Sequence, residues 1–240
     1  MINIKTLTLT QEIGTQTIDV HPVIIFNDSD LVLCDAGYPN QVDQINSELN
    51  KYGFSISDIT KIVITHHDHD HVGSLSVLKK MNKNLMAISS EIESSFIEDQ
   101  SKSLRLFQAK EYNKKLSGKE LEFGVQFVKY LESIQNCDID QTVQDGDYIL
   151  PGLRVVFTPG HTPGHISLLG EDSHVIITGD ALAIENSKLI IANPEFTLDI
   201  ESCVKSITKI LHLAPKELIC YHGGTIRNGI DKLLRDILDS

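Results

Sequence analysis

Thr65-His66-His67-Asp68-His69-Asp70-His71-Val72-Gly73 packs four of the ten histidines of this chain into six positions, with two aspartates between them. Imidazole and carboxylate groups suit first-row transition metals. The residues just before, Lys61-Ile62-Val63-Ile64-Thr65, read as a buried strand, and a short helix carrying Leu75, Leu78 and Met81 follows. A loop leaving a strand can aim successive side chains at one centre. Taken alone, the stretch also fits a solvated acidic loop.

Three further places share this design. Thr158-Pro159-Gly160-His161-Thr162-Pro163-Gly164-His165 follows a strand and holds two histidines in a stiff turn. Thr178-Gly179-Asp180 ends another strand in a carboxylate, and Cys220-Tyr221-His222-Gly223-Gly224 ends a third in a histidine. Singly, Asp180 reads as a turn residue and His222 as a satisfied core histidine. Jointly they put more ligands at strand ends than chance supplies, and strand ends converge in a layered sheet.

Outward from these points the chain alternates strands and helices. Ile2, Ile4, Leu7 and Leu9 alternate as in an edge or half-buried strand. Val23 to Phe26 and Leu31 to Cys34 flank Asn27-Asp28-Ser29-Asp30, a hairpin signal. A helix with Val42, Ile45, Leu49 and Tyr52 on one face then ends near Gly53. Ser90 with Glu93 three positions on reads as a capping box. From Ser90 to about Ile134, residues Phe96, Leu104, Phe107, Leu121, Phe127, Val128, Leu131 and Ile134 recur at helical spacing, interrupted by Gly118 and Gly124. Two or three helices are expected there, as a helical insertion at about 90–136. Strands resume at 148–150 and 153–157, then at 166–169 and 175–178. A helix from Asp199 carries Ile200, Val204, Ile207 and Leu211, and a last strand (217–221) and helix (226–238) close the chain. This is an α/β or α+β layered domain spanning 1–240.

The composition narrows function. Hydrophobic residues at 41% and charged residues at 22% exclude a disordered, collagen-like or coiled-coil chain. A net charge of −12 repels phosphates and anionic lipid, so neither nucleic acid nor membrane is expected as a partner, and an oligomer stays open. Cys34, Cys137, Cys203 and Cys220 are far apart and form no CxxC pair. Reduced thiols in a cytoplasmic protein are the expectation, Cys34 and Cys220 reading as small buried hydrophobes. No basic segment followed by an apolar run opens the chain, and no apolar run approaches the roughly 20 residues of a membrane helix.

These motifs resemble those of the metallo-β-lactamase fold superfamily of metal-dependent hydrolases, over nearly the whole chain, from the turn at Leu33 to Gly37 as far as His222. The resemblance implies a four-layer αββα sandwich with two divalent metal ions along one rim. Carried over by position, His66, Asp68 and His161 would hold the first ion, Asp70, His71 and His222 the second, and Asp180 would bridge them. Asp35 would support a ligand or loop. The family's first motif is His-x-His-x-Asp-His, and Asp68 departs from it at the second histidine. A frame starting at His67 would supply His69 but would put the Asp-His pair on His71-Val72. Asp68 is therefore preferred as ligand, with His69 as the substitute. His67 and His69 are then expected to line the pocket or face solvent, and His165 to support the site or meet substrate. His21, His174 and His212 read as structural or surface residues.

The exchange matters for charge. Two divalent ions bring about +4, and three aspartates with a bridging hydroxide bring about −4. A harder, more anionic first site favours iron or manganese, with zinc still open. Two metals roughly 3.5–4 Å apart activate a shared water for attack on a carbonyl or phosphoryl centre, and Asp70 is placed to orient that nucleophile and carry its proton. The expected activity is hydrolysis of a small ester, thioester, lactone or phosphodiester. Ala183 stands where lactonase relatives often carry a tyrosine, three residues after the bridging aspartate. Only residues 196–240 remain where glyoxalase II relatives add a glutathione-binding region, and an exported β-lactamase would carry a signal. Two other classes compete: a di-iron redox enzyme needing a separate electron donor, because flavodiiron relatives also place a carboxylate at the second motif position, and a binding module with a degenerate site.

Overall fold

Val23–Phe26 and Leu31–Cys34 are almost wholly apolar because they lie in a sheet covered on both faces. The computed structural model describes residues 1–14, 16–192 and 196–239. In chain order the strands are β1 (Asn3–Thr6), β2 (Leu9–Ile13), β3 (Gln16–Val20), β4 (Val23–Phe26), β5 (Leu31–Cys34), β6 (Lys61–Val63), β7 (Met86–Ser90), β8 (Gln141–Val143), β9 (Tyr148–Leu150), β10 (Leu153–Phe157), β11 (Ile166–Gly170), β12 (Val175–Gly179), β13 (Ala183–Glu185), β14 (Lys188–Ile190), β15 (Glu217–Cys220) and β16 (Gly224–Ile226). The helices are α1 (Val42–Asn50), α2 (His69–Val72), α3 (Leu75–Met81), α4 (Glu91–Ile97), α5 (Leu104–Asn113), α6 (Gly118–Glu132), α7 (Ile200–His212) and α8 (Ile230–Leu238).

Two six-stranded sheets face each other. One runs β1-β4-β5-β6-β7-β8, the other β16-β15-β12-β11-β10-β9. Residues alternate between the two faces of each strand. In β5, Val32 and Cys34 join Val63 and Ile88 between the sheets, where they meet Val155, Leu168, Ile177 and Ile219 of the second sheet. Leu31 and Leu33 point the other way, with Ile62, toward Ile45 and Leu49 of α1 and Leu75 and Leu78 of α3. The outer face of the second sheet, including Val156, Ile176 and Leu218, packs on Ile207 and Ile210 of α7 and Leu234 of α8. The layers are helix, sheet, sheet, helix, as the motifs implied.

Several elements differ from the sequence reading. The first alternating segment is broken: Leu7 bonds its N–H to the Pro22 carbonyl, and residues after it turn into the β2–β3 hairpin. Strand β8 was not expected. It pairs in parallel with β7 at the sheet edge and is mostly exposed, so Gln141 and Thr142 give no apolar signal. In α7 the buried residues are Cys203, Ser206, Ile207 and Ile210, whereas Ile200 and Val204 are exposed. Tyr52 and Met81 are exposed too, just past α1 and at the end of α3. The segment expected as an insertion forms α4, α5 and α6. Gly124 does not interrupt α6: a Cβ there would strike the side chain of Asn113, so this glycine lets α5 and α6 approach closely. Phe107 is exposed rather than packed.

The strand ends converge because β5 and β6 are parallel, as are β12 and β15. The loop after β6 is locked to the loop after β5 by Asp35 N–H on the Val63 carbonyl and Ala36 N–H on the His71 carbonyl, at 2.9 and 2.7 Å. Gly73 completes this junction, because its α-carbon lies flat against the backbone of Tyr38 and Pro39. Gly73→Ala should therefore cost about 1–3 kcal/mol by overpacking, read as a lower urea midpoint with unchanged slope. A wild-type midpoint would contradict this close approach.

Candidate metal centre

The site is assembled from four strand ends. After β6 the backbone runs extended through Asp68 and then turns into α2, where the His71 and Val72 N–H groups bond the Asp68 carbonyl. This change from extended to helical backbone turns His66, Asp68, Asp70 and His71 toward one place. The turn after β10 supplies His161. Asp180 follows β12 at a register shift between Ile177 and Gly179 in its pairing with β15. His222 follows β15 and is held by the Ile184 N–H, which donates to its carbonyl, and by the His21 N–H, which donates to the Tyr221 carbonyl.

Donor atoms gather in three overlapping groups, His66–Asp68–His161, Asp70–His71–His222 and His66–His71–Asp180, each with its ligand atoms within 4.8 Å of one another. His161 Nε2 lies 3.1 Å from Asp68 Oδ2 and 3.5 Å from Asp180 Oδ2. His222 Nε2 lies 3.1 Å from Asp70 Oδ2 and 3.5 Å from Asp180 Oδ2. His71 Nε2 is 3.3 Å from Asp180 Oδ1, and His66 Nε2 is 3.6 Å from Asp68 Oδ2. Ligands about 2.1 Å from one tetrahedral ion are about 3.4 Å apart, so these spacings suit shared cations.

Hydrogen bonds on the far side of the rings point in the same direction. Asp35 accepts from the Thr65 N–H and hydroxyl and from His71 Nδ1, the last at 3.0 Å. The Thr65 hydroxyl in turn lies 3.0 Å from His66 Nδ1 and accepts its proton. Both Nδ1 atoms are thereby used, and His66 Nε2, His71 Nε2 and Asp180 Oδ1 stay buried with no hydrogen-bond partner. Buried polar atoms without partners are costly, and cations held among these donor groups would satisfy all three. Asp35 thus occupies a supporting position. So does His165: its Nε2 accepts from the Asp180 N–H at 3.0 Å and its Nδ1 donates to Thr158 Oγ1. Both its nitrogens are spent, and burial together with His66 and His161 holds its pKa well below the usual histidine value.

His67 requires a correction. It was expected to line the pocket or face solvent, yet it is buried. Its Nδ1 donates to Glu93 Oε2 at 2.5 Å, and its Nε2 accepts from the Leu104 N–H. His69 sits edge-on among the rings of Tyr38, Phe127 and Tyr130, and it belongs to none of the three donor groups found among the described residues. Of the remaining histidines, His21 bonds the Leu7 carbonyl, while His174 takes a left-handed turn conformation.

Two residues escaped the sequence reading. Glu93 keeps half of the capping box, since its N–H bonds Ser90 Oγ, but its carboxylate turns inward. There it accepts from His67, from Thr162 Oγ1 and from the Gly164 N–H, tying the histidine loop to the turn after β10. Arg105, at the start of α5, reaches Asp68 Oδ2 with Nη2 at 2.6 Å and Nε at 3.1 Å. No local motif marks an arginine 37 positions beyond the carboxylate it meets. Because the Asp68–Arg105 pair is neutral overall, as a histidine would be, charge no longer argues for iron or manganese over zinc.

Electrostatically the site is a knot of opposed charges. Burial alone would raise the Asp180 pKa, but His222 and His71 hold it well below the carboxylate range. Burial would likewise lower His222, yet Asp180 and Asp70 lift it to about 10. The open side is His222, whose side chain keeps 29% of its exposure while those of His66 and His71 have none. A cavity of about 490 Å³ lies elsewhere, lined by residues such as Gln100, Leu106 and Ile134 and by none of the donor residues.

The sequence model of the metallo-beta-lactamase superfamily matches residues 18–222. This chain belongs to that superfamily. It is 27% identical over 205 residues to the probable metallo-hydrolase YflN of Bacillus subtilis, covering 80% of this chain and 75% of that one. It is 26% identical over 180 residues to an N-acyl homoserine lactonase of Bacillus cereus, covering 73% of this chain and 59% of that one. Among solved structures, the metallo-beta-lactamase family protein TTHA1429 of Thermus thermophilus superposes with a TM-score of 0.75 at 20% identity, over 98% of this chain and 78% of that one.

Glu93 offers a test of how the site is held. Burial would raise its pKa, but the contact with His67 overrides this and holds it below the usual value. Its contribution is therefore present above the unfolded value near pH 4.3 and fades as pH falls through the folded one. Glu93→Ala should lose about 2–5 kcal/mol at pH 7 by urea unfolding, because hydrogen bonds to a charged group are removed and their donors stay buried, with the gap narrowing below about pH 4. A loss that is the same at every pH would contradict an ionised Glu93.

Proposed function

We propose that this protein is a hydrolase with a dinuclear metal centre, in which His66, Asp68 and His161 hold one divalent ion, Asp70, His71 and His222 hold the other, and Asp180 lies between them. The observation that carries this reading is the set of buried, partnerless Nε2 and Oδ atoms facing one another while the Nδ1 atoms of His66 and His71 are anchored behind them. Membership of the superfamily and relatives named as metallo-hydrolases support it. Zinc, iron and manganese all suit this imidazole and carboxylate set.

Ions held there would lower the pKa of water toward neutrality and polarise a carbonyl or phosphoryl oxygen. The side chains do the rest. Asp35 and Thr65 fix the rings of His66 and His71, and His165 fixes the backbone of Asp180. The Tyr221 hydroxyl donates to the Asp70 carbonyl at 2.5 Å and sets that loop. Asp70 is the group placed to orient a water and take its proton, through the carboxylate that His222 contacts. Tyr38, His69, Phe127 and Tyr130 form an aromatic wall next to Asp70, suited to the apolar part of a small substrate.

A small ester, thioester, lactone or phosphodiester fits this chemistry. The lactonase relative favours an acyl centre over a phosphoryl one. Ala183 is buried and brings no hydroxyl to the site, so a lactone would be handled without one from that position.

A panel of chromogenic esters, thioesters, lactones and phosphodiesters, assayed with zinc, manganese and iron, tests the activity. Turnover of at least one class, abolished by a chelator and restored by metal, is the expected result. No turnover with any metal would favour a binding module, and an iron spectrum that responds to oxygen would favour redox chemistry. Asp70→Ala and Asp180→Ala should each lower kcat/KM at least about 100-fold with far-UV circular dichroism near that of the wild type. Full activity in both would remove the mechanism.

The raised His222 pKa gives a second check. With its value at about 10, ion-free His222 carries a proton at pH 8 and must lose it to bind a cation. Adding zinc to weakly buffered protein at pH 8 should release that proton, and the apparent affinity should rise with pH up to about 10. His222→Ala should release about one proton fewer. An equal release from both proteins would contradict the assignment.

A further inference from the structure

The exchange of histidine for Asp68 comes with a partner. Arg105 has a side chain only 4% exposed. Its Nη2 and Nε donate to Asp68 Oδ2, and the same Nη2 lies 3.4 Å from His161 Nε2. Nη1 donates to Gln108 Oε1, and the guanidinium lies over the Phe196 ring at 4.8 Å. All three guanidinium nitrogens are thus engaged, and two of the three groups of the first cradle already face a cation. The second cradle differs. Among the described residues no lysine or arginine forms an ion pair with Asp70 or Asp180, whose partners are histidines, and histidines give up their charge when they ligate.

We propose that Arg105 is a built-in cation that competes with a metal ion for the His66–Asp68–His161 cradle, so that the Asp70–His71–His222 cradle fills first and the other only at higher free metal. This rests on the reading of the site as a metal centre. An ion entering the first cradle must draw Asp68 Oδ2 and His161 Nε2 away from the guanidinium, giving up charge-assisted hydrogen bonds. It must then sit near a fixed positive charge in a poorly screened interior. The pair also lets the first cradle stand without an ion, because Asp68 is then not left as an uncompensated buried charge. Arg105 is a positioning residue in this scheme, and it sets occupancy rather than taking part in bond breaking.

Zinc stoichiometry, measured by equilibrium dialysis over a series of buffered free zinc concentrations, tests this without any activity readout. Wild type should bind two equivalents in steps separated by at least about tenfold in affinity. His222→Ala should remove the tight step and His161→Ala the weak one. Arg105→Met should tighten the weak step at least about tenfold and bring the two together. Should that variant fail to fold, the double variant Asp68→His, Arg105→Met removes both charges and should show the same merged steps. Two equal steps in wild type, the opposite assignment in the histidine variants, or variants that keep the wild-type separation would each overturn the proposal while leaving the metal centre intact. Binding of no zinc by wild type would overturn the metal centre and the proposal with it.

Discussion

The interaction on which the structure depends is the burial of like charges beside one another. Asp35, Asp68, Asp70 and Asp180 are all nearly inaccessible and lie at the same rim of the two sheets. Each buried carboxylate must find a compensating positive charge or a set of hydrogen-bond donors. Asp35 answers with Thr65 and His71, and Asp68 with Arg105 and His161. Among the described residues, the ion-pair partners of Asp70 and Asp180 are all imidazoles, and that is where a cation has most to satisfy. The fold makes this arrangement possible by placing the charges on loops that leave β5, β6 and β12, each of which has a parallel neighbour, away from the three apolar clusters that hold the layers together.

Much of this is written locally. Apolar runs buried on both faces announce the central strands, and a polar group at the end of such a run announces the rim. The histidine and aspartate stretch at 66–71, His161, Asp180 and His222 stand out as polar groups at strand ends, and the resemblance to the superfamily is what implied their roles as ligands. The hidden parts are those whose partners are distant in sequence. Glu93 looks like the closing member of a capping box, and only the fold reveals that its carboxylate turns toward His67 and Thr162. Arg105 stands between two leucines on a helix, and nothing near it points to Asp68. Strand β8 carries polar residues on an exposed edge, so its membership rests on pairing alone. In α7, the apolar Ile200 and Val204 are exposed while Ser206 is buried, and the sequence pattern cannot separate those faces without the sheet beneath.

The Asp68–Arg105 pair changes how the departure from the usual motif should be understood. An aspartate in place of histidine would make the first cradle more anionic by itself. With Arg105 on the same oxygen, the net charge is that of a neutral ligand, but the donor has become a hard oxygen with a competitor attached. Helix α5 thereby connects the helical segment after β7 to the site, and α6 contributes Phe127 and Tyr130 to the neighbouring wall. The same helices that add bulk to one end of the sandwich also supply the charge and the apolar surface that distinguish this site.

Seven side chains from four loops are proposed to share bound cations. Crystals grown with zinc, iron or manganese and measured at the absorption edge of the metal test this sharing most directly. Anomalous density is expected among Asp70, His71, His222 and Asp180, joined at higher metal by density among His66, Asp68 and His161. Density confined to other parts of the surface, with these rings and carboxylates in their present places and no ion among them, would contradict it.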